Sequence, residues 1–245
     1  MRFTIIMAAL LPGLLAAPTE QSSDAAFASA VQSILDPAAG PCAANDQECR
    51  SGSQAAPFIA AALQKYKLTC AGQAASVISL MAFESVNFRY KHNVSPGRPG
   101  QGTANMQMAS YNLEYARSLS EVRDKIPAGV TSVEGQSPQT LNQVLALVQP
   151  DEFNFGSGPW FLRNKCDEGV VQGLANGNVD EGFRKHMACV GVSVDEARLA
   201  YFERAKKALK VGGGNTGCAP VFEGAMVAAP GGETTVGEGE EPESC

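Results

Sequence analysis

Apolar residues recur at helical spacing along most of the chain, and this periodicity restricts the possible folds more than any other feature. In residues 137–148 four apolar side chains share one helical face, Ser137 is suited to cap the helix, and Pro138 to begin it. A capping box of Ser193 and Glu196 opens the last predicted helix. No long stretch alternates as a strand would, so the sequence predicts a mainly α fold. The other predicted helices cover residues 24–35, 54–67, 73–88, 104–119, 159–174 and 180–189, and the last runs over 193–210.

Composition divides the chain into four parts. Residues 1–17 combine a basic start with an apolar run, which predicts a secretory signal peptide. Residues 18–55 form a lead-in segment with one helix, and residues 56–210 are long enough for a single domain. Residues 211–245 hold six Glu and no Lys or Arg, so this predicted flexible tail accounts for the whole net charge of −6. No sustained basic surface is left for nucleic acid, and no later run reaches the ~20 apolar residues of a membrane span.

Seven cysteines fit an oxidising compartment and indicate a secreted, extracellular protein. Cys42 and Cys49 bracket a short loop and are plausible partners, whereas the other pairings are open. Cys245, the last residue, is the expected unpaired thiol. No Cys-x-x-Cys occurs and both histidines are isolated, so the sequence predicts neither a metal site nor a cofactor. The disulfide candidates are Cys42, Cys49, Cys70, Cys166, Cys189 and Cys218.

Glu84 is the first candidate for a chemical role. Val77, Leu80, Met81 and Glu84 stand at i, i+3, i+4 and i+7, so the carboxyl shares a helical face with apolar side chains. Such a face would favour the uncharged carboxylic acid, which a general acid needs to protonate a leaving oxygen. The alternative is a glutamate at a helix end that points into water.

A stretch without acidic residues follows Glu84. From Ser85 to Leu113 the chain has no Asp or Glu, but it contains Arg89, Lys91 and Arg98 together with a histidine. Such a loop would attract an anionic ligand. The alternative is an ordinary basic surface loop.

These residues are arranged as in a known family. Glu84-Ser85, Asn87, Val94-Ser95-Pro96, Gly102 and Met106-Gln107 resemble the first signature of the lytic transglycosylases, and residues 154–162 resemble the second. The resemblance covers about residues 70–209 and implies a lysozyme-like helical domain, related to goose-type lysozymes, with a small hairpin or irregular loop after the catalytic helix. It implies that Glu84 is the acid/base and that a sugar-binding cleft is formed by Ser95, Arg98, Met106, Gln107 and Asn154.

The implied function is cleavage of peptidoglycan between N-acetylmuramic acid and N-acetylglucosamine by a secreted monomer. The chain departs from the family at Thr103, Ala104 and Asn105, where the family has one residue, and it lacks the usual tyrosine near residues 174–177. Two alternatives therefore stay open. One is a chitin or chitosan hydrolase of the same fold, and the other is a non-catalytic glycan-binding or effector-like protein.

Overall fold

The computed structural model describes residues 20–212, except Gly177, and residues 218–222, with only the backbone of 20–23. These residues are mainly helical, as predicted, and no strand occurs among them beyond three isolated bridges. The described residues form ten α-helices, which are α1 (Glu20–Ile34), α2 (Gly52–Lys65), α3 (Ala71–Glu84), α4 (Ala109–Ser118), α5 (Pro138–Leu147), α6 (Asp151–Asn154), α7 (Ser157–Lys165), α8 (Glu168–Asn176), α9 (Val179–Val190) and α10 (Glu196–Ala208).

Helix α3 lies at the centre of the fold. Every residue from Ala71 to Ala82 is buried, and α3 contacts α1, α7, α8, α9 and α10. Close approach requires glycine at two of these contacts. A Cβ on Gly72 would lie 2.2 Å from the carbonyl oxygen of Leu174, and one on Gly158 would lie 2.8 Å from the sulfur of Met81. The core around α3 is thus closely packed, with backbone against side chain.

A second hydrophobic cluster joins α4, α5 and α7 through side chains such as Leu113, Leu145 and Phe161. The connection from α3 to α4, residues 85–108, packs against this cluster. A Cβ on Gly102 would lie 2.8 Å from a methyl carbon of Leu145. This connection, hereafter the α3–α4 loop, therefore runs between the central helix and the second cluster.

Two predicted helix boundaries are wrong on either side of this loop. Helix α3 ends at Glu84, not at residue 88, because Val86, Asn87 and Phe88 have φ angles of 53°, 62° and 60°. The Ser85 hydroxyl stabilises the turn by donating to the Met81 carbonyl and accepting from the Phe88 amide. Helix α4 begins at Ala109, not at residue 104, because the chain first makes left-handed turns at residues 103 and 106.

The start of α5 was predicted correctly, whereas the start of α10 was not. The Ser137 hydroxyl accepts from the Thr140 amide and Pro138 begins α5. Helix α10 is instead capped by Asp195, whose carboxylate accepts from the Arg198 amide, so the predicted cap at Ser193 is wrong. The predicted helix 159–174 is two helices, since the chain is extended at Cys166 between α7 and α8.

Three disulfides join the described cysteines. Cys42 and Cys49, the pair suggested by the sequence, are bonded, and so are Cys70 with Cys218 and Cys166 with Cys189. Three disulfides fit the oxidising surroundings of an extracellular protein. The predicted signal peptide, Cys245 and most of the acidic tail lie outside the described residues. Among the described helices, none is both long enough and apolar enough to span a membrane.

Candidate functional site

The α3–α4 loop has an unusual concentration of buried polar side chains and left-handed backbone. Of the two predicted forms, a small hairpin or an irregular loop, the chain has the irregular loop, with isolated bridges between His92 and Gly102 and between Gly102 and Gln107. Five non-glycine residues between 86 and 106 have positive φ angles, a conformation that costs energy and clusters at functional sites. Its buried polar residues are Ser85, Asn87, Lys91, Thr103, Asn105 and Gln107.

Glu84, at the entrance to this loop, has an ion-pair partner instead of the purely apolar surroundings that its spacing predicted. Its carboxylate lies 2.9 Å from a guanidinium nitrogen of Arg198 on α10. The same guanidinium binds Asp195 at 2.6 Å and lies 4.4 Å from the centre of the Phe83 ring. The carboxyl of Glu84 is therefore bound within a link between α3 and α10.

Most basic side chains of the loop also have partners. Lys91 binds Asp151 at 2.6 Å, and Asp151 also binds Arg50 at 2.8 Å. His92 lies 2.8 Å from Glu48. The Arg89 guanidinium donates to backbone carbonyls of residues 39–41. The basic surface expected from the sequence is therefore reduced mainly to Arg98.

Arg98 borders a pocket of about 230 Å³. It is exposed, and no acidic side chain lies within 4 Å of it in the part of the chain that the structure describes. The backbone beside it is fixed because the Asn93 side-chain oxygen accepts from the amides of Gly97 and Arg98. The Asn142 side chain accepts from the Gly100 amide and joins the loop to α5. The lining combines His92, Asn93, Arg98, Gln101 and Asn142 with the apolar residues Val94, Pro99 and Leu145.

Four buried amide oxygens in and near the loop have no hydrogen-bond partner among the described atoms. They belong to Gln101, Asn105, Gln107 and Asn154. Two of the corresponding nitrogens are engaged, since Gln101 donates to the Met106 carbonyl and Gln107 donates to Asn112. Buried acceptors of this kind usually bind a ligand donor or an ordered water. Gln101 also lines the pocket beside Arg98.

The structure brings some of the predicted site residues into one hydrogen-bonded loop. Met106 and Gln107 join it through the contacts above, and Arg98 lies at its pocket. Ser95 is exposed on the same loop, whereas Asn154 lies on α6. Whether these residues bind a substrate stays a prediction.

The ion-pair partners of several site residues were not found from the sequence. Arg50 and Asp151 are 101 positions apart, and Glu84 and Arg198 are 114 apart. No local motif signals such pairs. The described residues include no group of three or more His, Cys, Asp or Glu side chains that are arranged to hold a metal ion.

Comparison with known proteins identifies one relevant relative. No family model and no solved structure matches the chain. A segment of 157 residues is 51% identical to a bifunctional dioxygenase–epoxy alcohol synthase of Fusarium oxysporum. The segment is 64% of this chain and 12% of that protein. The match thus covers a small part of a much larger enzyme.

The match to this enzyme overturns the function that was predicted from the motifs. The resemblance to lytic transglycosylases and goose-type lysozymes is wrong, and so is the inference of a peptidoglycan-cleaving enzyme or another glycan-directed protein. The ion pair of Glu84 with Arg198 gives a physical reason, because the apolar surroundings on which the acid/base role depended are not present. The relative is named for dioxygenase and epoxy alcohol synthase activities and not for cleavage of glycosidic bonds.

Proposed function

We propose that this chain is part of an oxygenase-type enzyme and that its α3–α4 loop binds the carboxylate end of an unsaturated acid. The observation that carries the proposal is Arg98, a cation at the edge of a pocket whose mainly polar lining also includes Val94, Pro99 and Leu145. The segment shared with the dioxygenase–epoxy alcohol synthase supports the reaction class. Because an epoxide forms from a carbon–carbon double bond, an unsaturated substrate is the matching chemical class.

The pocket suits one end of such a molecule. A guanidinium binds a carboxylate through two parallel hydrogen bonds, which a lysine cannot provide. Val94, Pro99 and Leu145 offer apolar surface to the first carbons of the chain. The volume of about 230 Å³ is below the roughly 300–1,000 Å³ of pockets that enclose whole ligands. The rest of the acid would therefore extend beyond the pocket.

The role proposed for this chain is substrate binding, and none of its residues is assigned to the oxygen-transfer step. The aligned segment is only 12% of the relative, so the activities named for that enzyme belong to a far longer protein. Binding by the isolated chain can nevertheless be measured directly, because the Arg98 pocket is built from one loop and α5.

Calorimetric titration of the purified chain with linoleic acid, below the concentration at which it forms micelles, tests the proposal. We expect the free acid to bind about tenfold more tightly than its methyl ester, since a charge-assisted pair is lost in the ester. Arg98→Gln should weaken binding of the free acid to a similar extent. Arg123→Gln is the matched control, because Arg123 is exposed and its ion-pair neighbour is the adjacent Asp124.

Two outcomes would count against this function. Equal binding of acid and ester would show that the pocket does not recognise a carboxylate. Equal weakening by Arg98→Gln and Arg123→Gln would show that the acid responds to overall charge instead of to this pocket.

A further inference from the structure

A second pocket, distant in sequence from the α3–α4 loop, is walled by aromatic side chains. It has a volume of about 150 Å³ and lies where α2, α4 and α6 approach one another. Four aromatic residues line it, namely Phe58, Tyr66, Tyr115 and Phe153. Tyr115 is fully buried and forms the inner wall, whereas Tyr66 is half-buried and closer to solvent.

The inner wall is held in place by a hydrogen bond and close packing. The Tyr115 hydroxyl donates to the Phe153 carbonyl at 3.0 Å. A Cβ on Gly156 would lie 2.4 Å from the Tyr115 hydroxyl oxygen, so glycine is needed for this position of the ring. Burial raises the pKa of Tyr66 to about 12, so its phenol stays uncharged at neutral pH.

The rim of this pocket is predominantly acidic. Glu121 and Glu152 are exposed at its edge, with Lys65 as the one cation that lines it among the described residues. Hydrogen bonds from its own backbone and from the Ser120 hydroxyl lower the pKa of Glu121, so this carboxylate is charged at neutral pH. The rim therefore favours a positively charged guest over an anion.

A cation already lies against one of the aromatic rings. The Lys65 ammonium is 5.8 Å from the centre of the Tyr66 ring, within the range of a cation–π contact. The face of Tyr66 is thus accessible to an ammonium group from the solvent side.

We propose that this pocket binds a small methylated ammonium ion, of which choline is the simplest probe, between its aromatic rings and its two rim carboxylates. Aromatic cages recognise quaternary ammonium groups because the negative faces of several rings act together while the methyl groups are desolvated. The two carboxylates oppose a phosphate, so choline should bind more tightly than phosphocholine. The site and its ligand are independent of the Arg98 pocket.

Titration of the full chain with choline, monitored by ligand-observed NMR, tests this site. We expect choline to bind at least about tenfold more tightly than its neutral analogue, in which carbon replaces the nitrogen. Tyr66→Leu, which removes a ring, should weaken choline binding at least about tenfold, and Tyr66→Phe should retain it. Lys65→Met should strengthen binding about two- to threefold, because it removes a competing cation.

Exposed acidic residues provide the matched control and keep the test independent of folding. The double variant Glu121→Gln/Glu152→Gln should lose about threefold in affinity, whereas Glu134→Gln, an exposed acid elsewhere, should leave it unchanged. The proposal is overturned if the wild type does not bind choline, or if the neutral analogue binds equally well. Equal losses in the double variant and in Glu134→Gln would also overturn it, since the effect would then be one of net charge.

Discussion

The end of α3 and the loop that follows it differ in how completely their polar groups are bonded. At the end of α3, Glu84 shares the Arg198 guanidinium with Asp195, the residue that caps α10. In the loop, the Arg98 cation and several amide oxygens have no such partners among the described residues. The contrast shows that a carboxyl at the end of an apolar helix is weak evidence for catalysis when a distant helix supplies its counter-ion.

The close contacts around α3 imply that this core, hereafter the α3 frame, is tightly packed. Filling one of these contacts should therefore have the largest effect on stability. Gly72→Ala would place a Cβ 2.2 Å from the Leu174 carbonyl, so we expect a loss of about 3 kcal/mol in the free energy of unfolding, measured by chemical denaturation. Gly169→Ala on α8 is the control, because a Cβ there would meet nothing within 4 Å. Equal effects of the two substitutions would contradict a closely packed frame.

The stability of the α3 frame should also depend on pH, because of His186. This imidazole is fully buried and lies 2.7 Å from the Ser76 hydroxyl, and burial lowers its pKa from 6.5 to about 4. Between these values the unfolded chain binds the proton and the folded chain does not, so stability is complete above pH 6.5 and falls as the pH approaches 4. At 1.36 kcal/mol per pKa unit, the loss attributable to His186 is about 3 kcal/mol.

Denaturation as a function of pH in variants of the two histidines measures this contribution. His186→Gln should remove that part of the pH dependence, and His92→Gln, which changes the exposed histidine, should retain it. If both variants keep the wild-type slope, the slope arises from other groups.

The start of α5 could be predicted from the sequence because its signals lie within a few residues of one another. The cap at Ser137 and the proline after it defined α5, because both act within one helical turn. The end of α3 was missed because the left-handed turn includes Val86 and Phe88, whose residue types rarely adopt it.

The candidate site was harder to predict than the helices. The spacing of Glu84 placed this residue correctly on α3, but the counter-ion of its carboxyl comes from a helix 114 residues away. The same holds for Lys91, which Asp151 neutralises across 60 residues. Charge in a loop therefore predicts a ligand only after its long-range partners are known.

A smaller effect is expected at the link between α3 and α10. Arg198→Leu leaves two carboxylates without their shared cation, and we expect a loss of about 2 kcal/mol in unfolding free energy, because the ion-paired side chains of Arg198 and Glu84 are only 15% and 19% exposed. A double-mutant cycle with Glu84→Gln should give a coupling energy of about 1 kcal/mol. Additive effects of the two substitutions would contradict a direct link.

The smallest effect on stability should come from the loop pocket. Arg98→Gln changes an exposed cation that has no acidic partner in the described chain, so we expect a change below about 0.5 kcal/mol in the same denaturation assay. A loss comparable to that of Arg198→Leu would place Arg98 in the frame and would remove the distinction between the two regions.

The bond between Cys70 and Cys218 has a topological consequence. It joins residues 148 positions apart, so it closes most of the described chain into one covalent ring, within which the Cys166–Cys189 bond closes a smaller one. A protease that cuts once between residues 71 and 217 would open the ring but release no fragment. Such a nicked protein would migrate as one band on a denaturing gel and separate into two only after the disulfides are reduced.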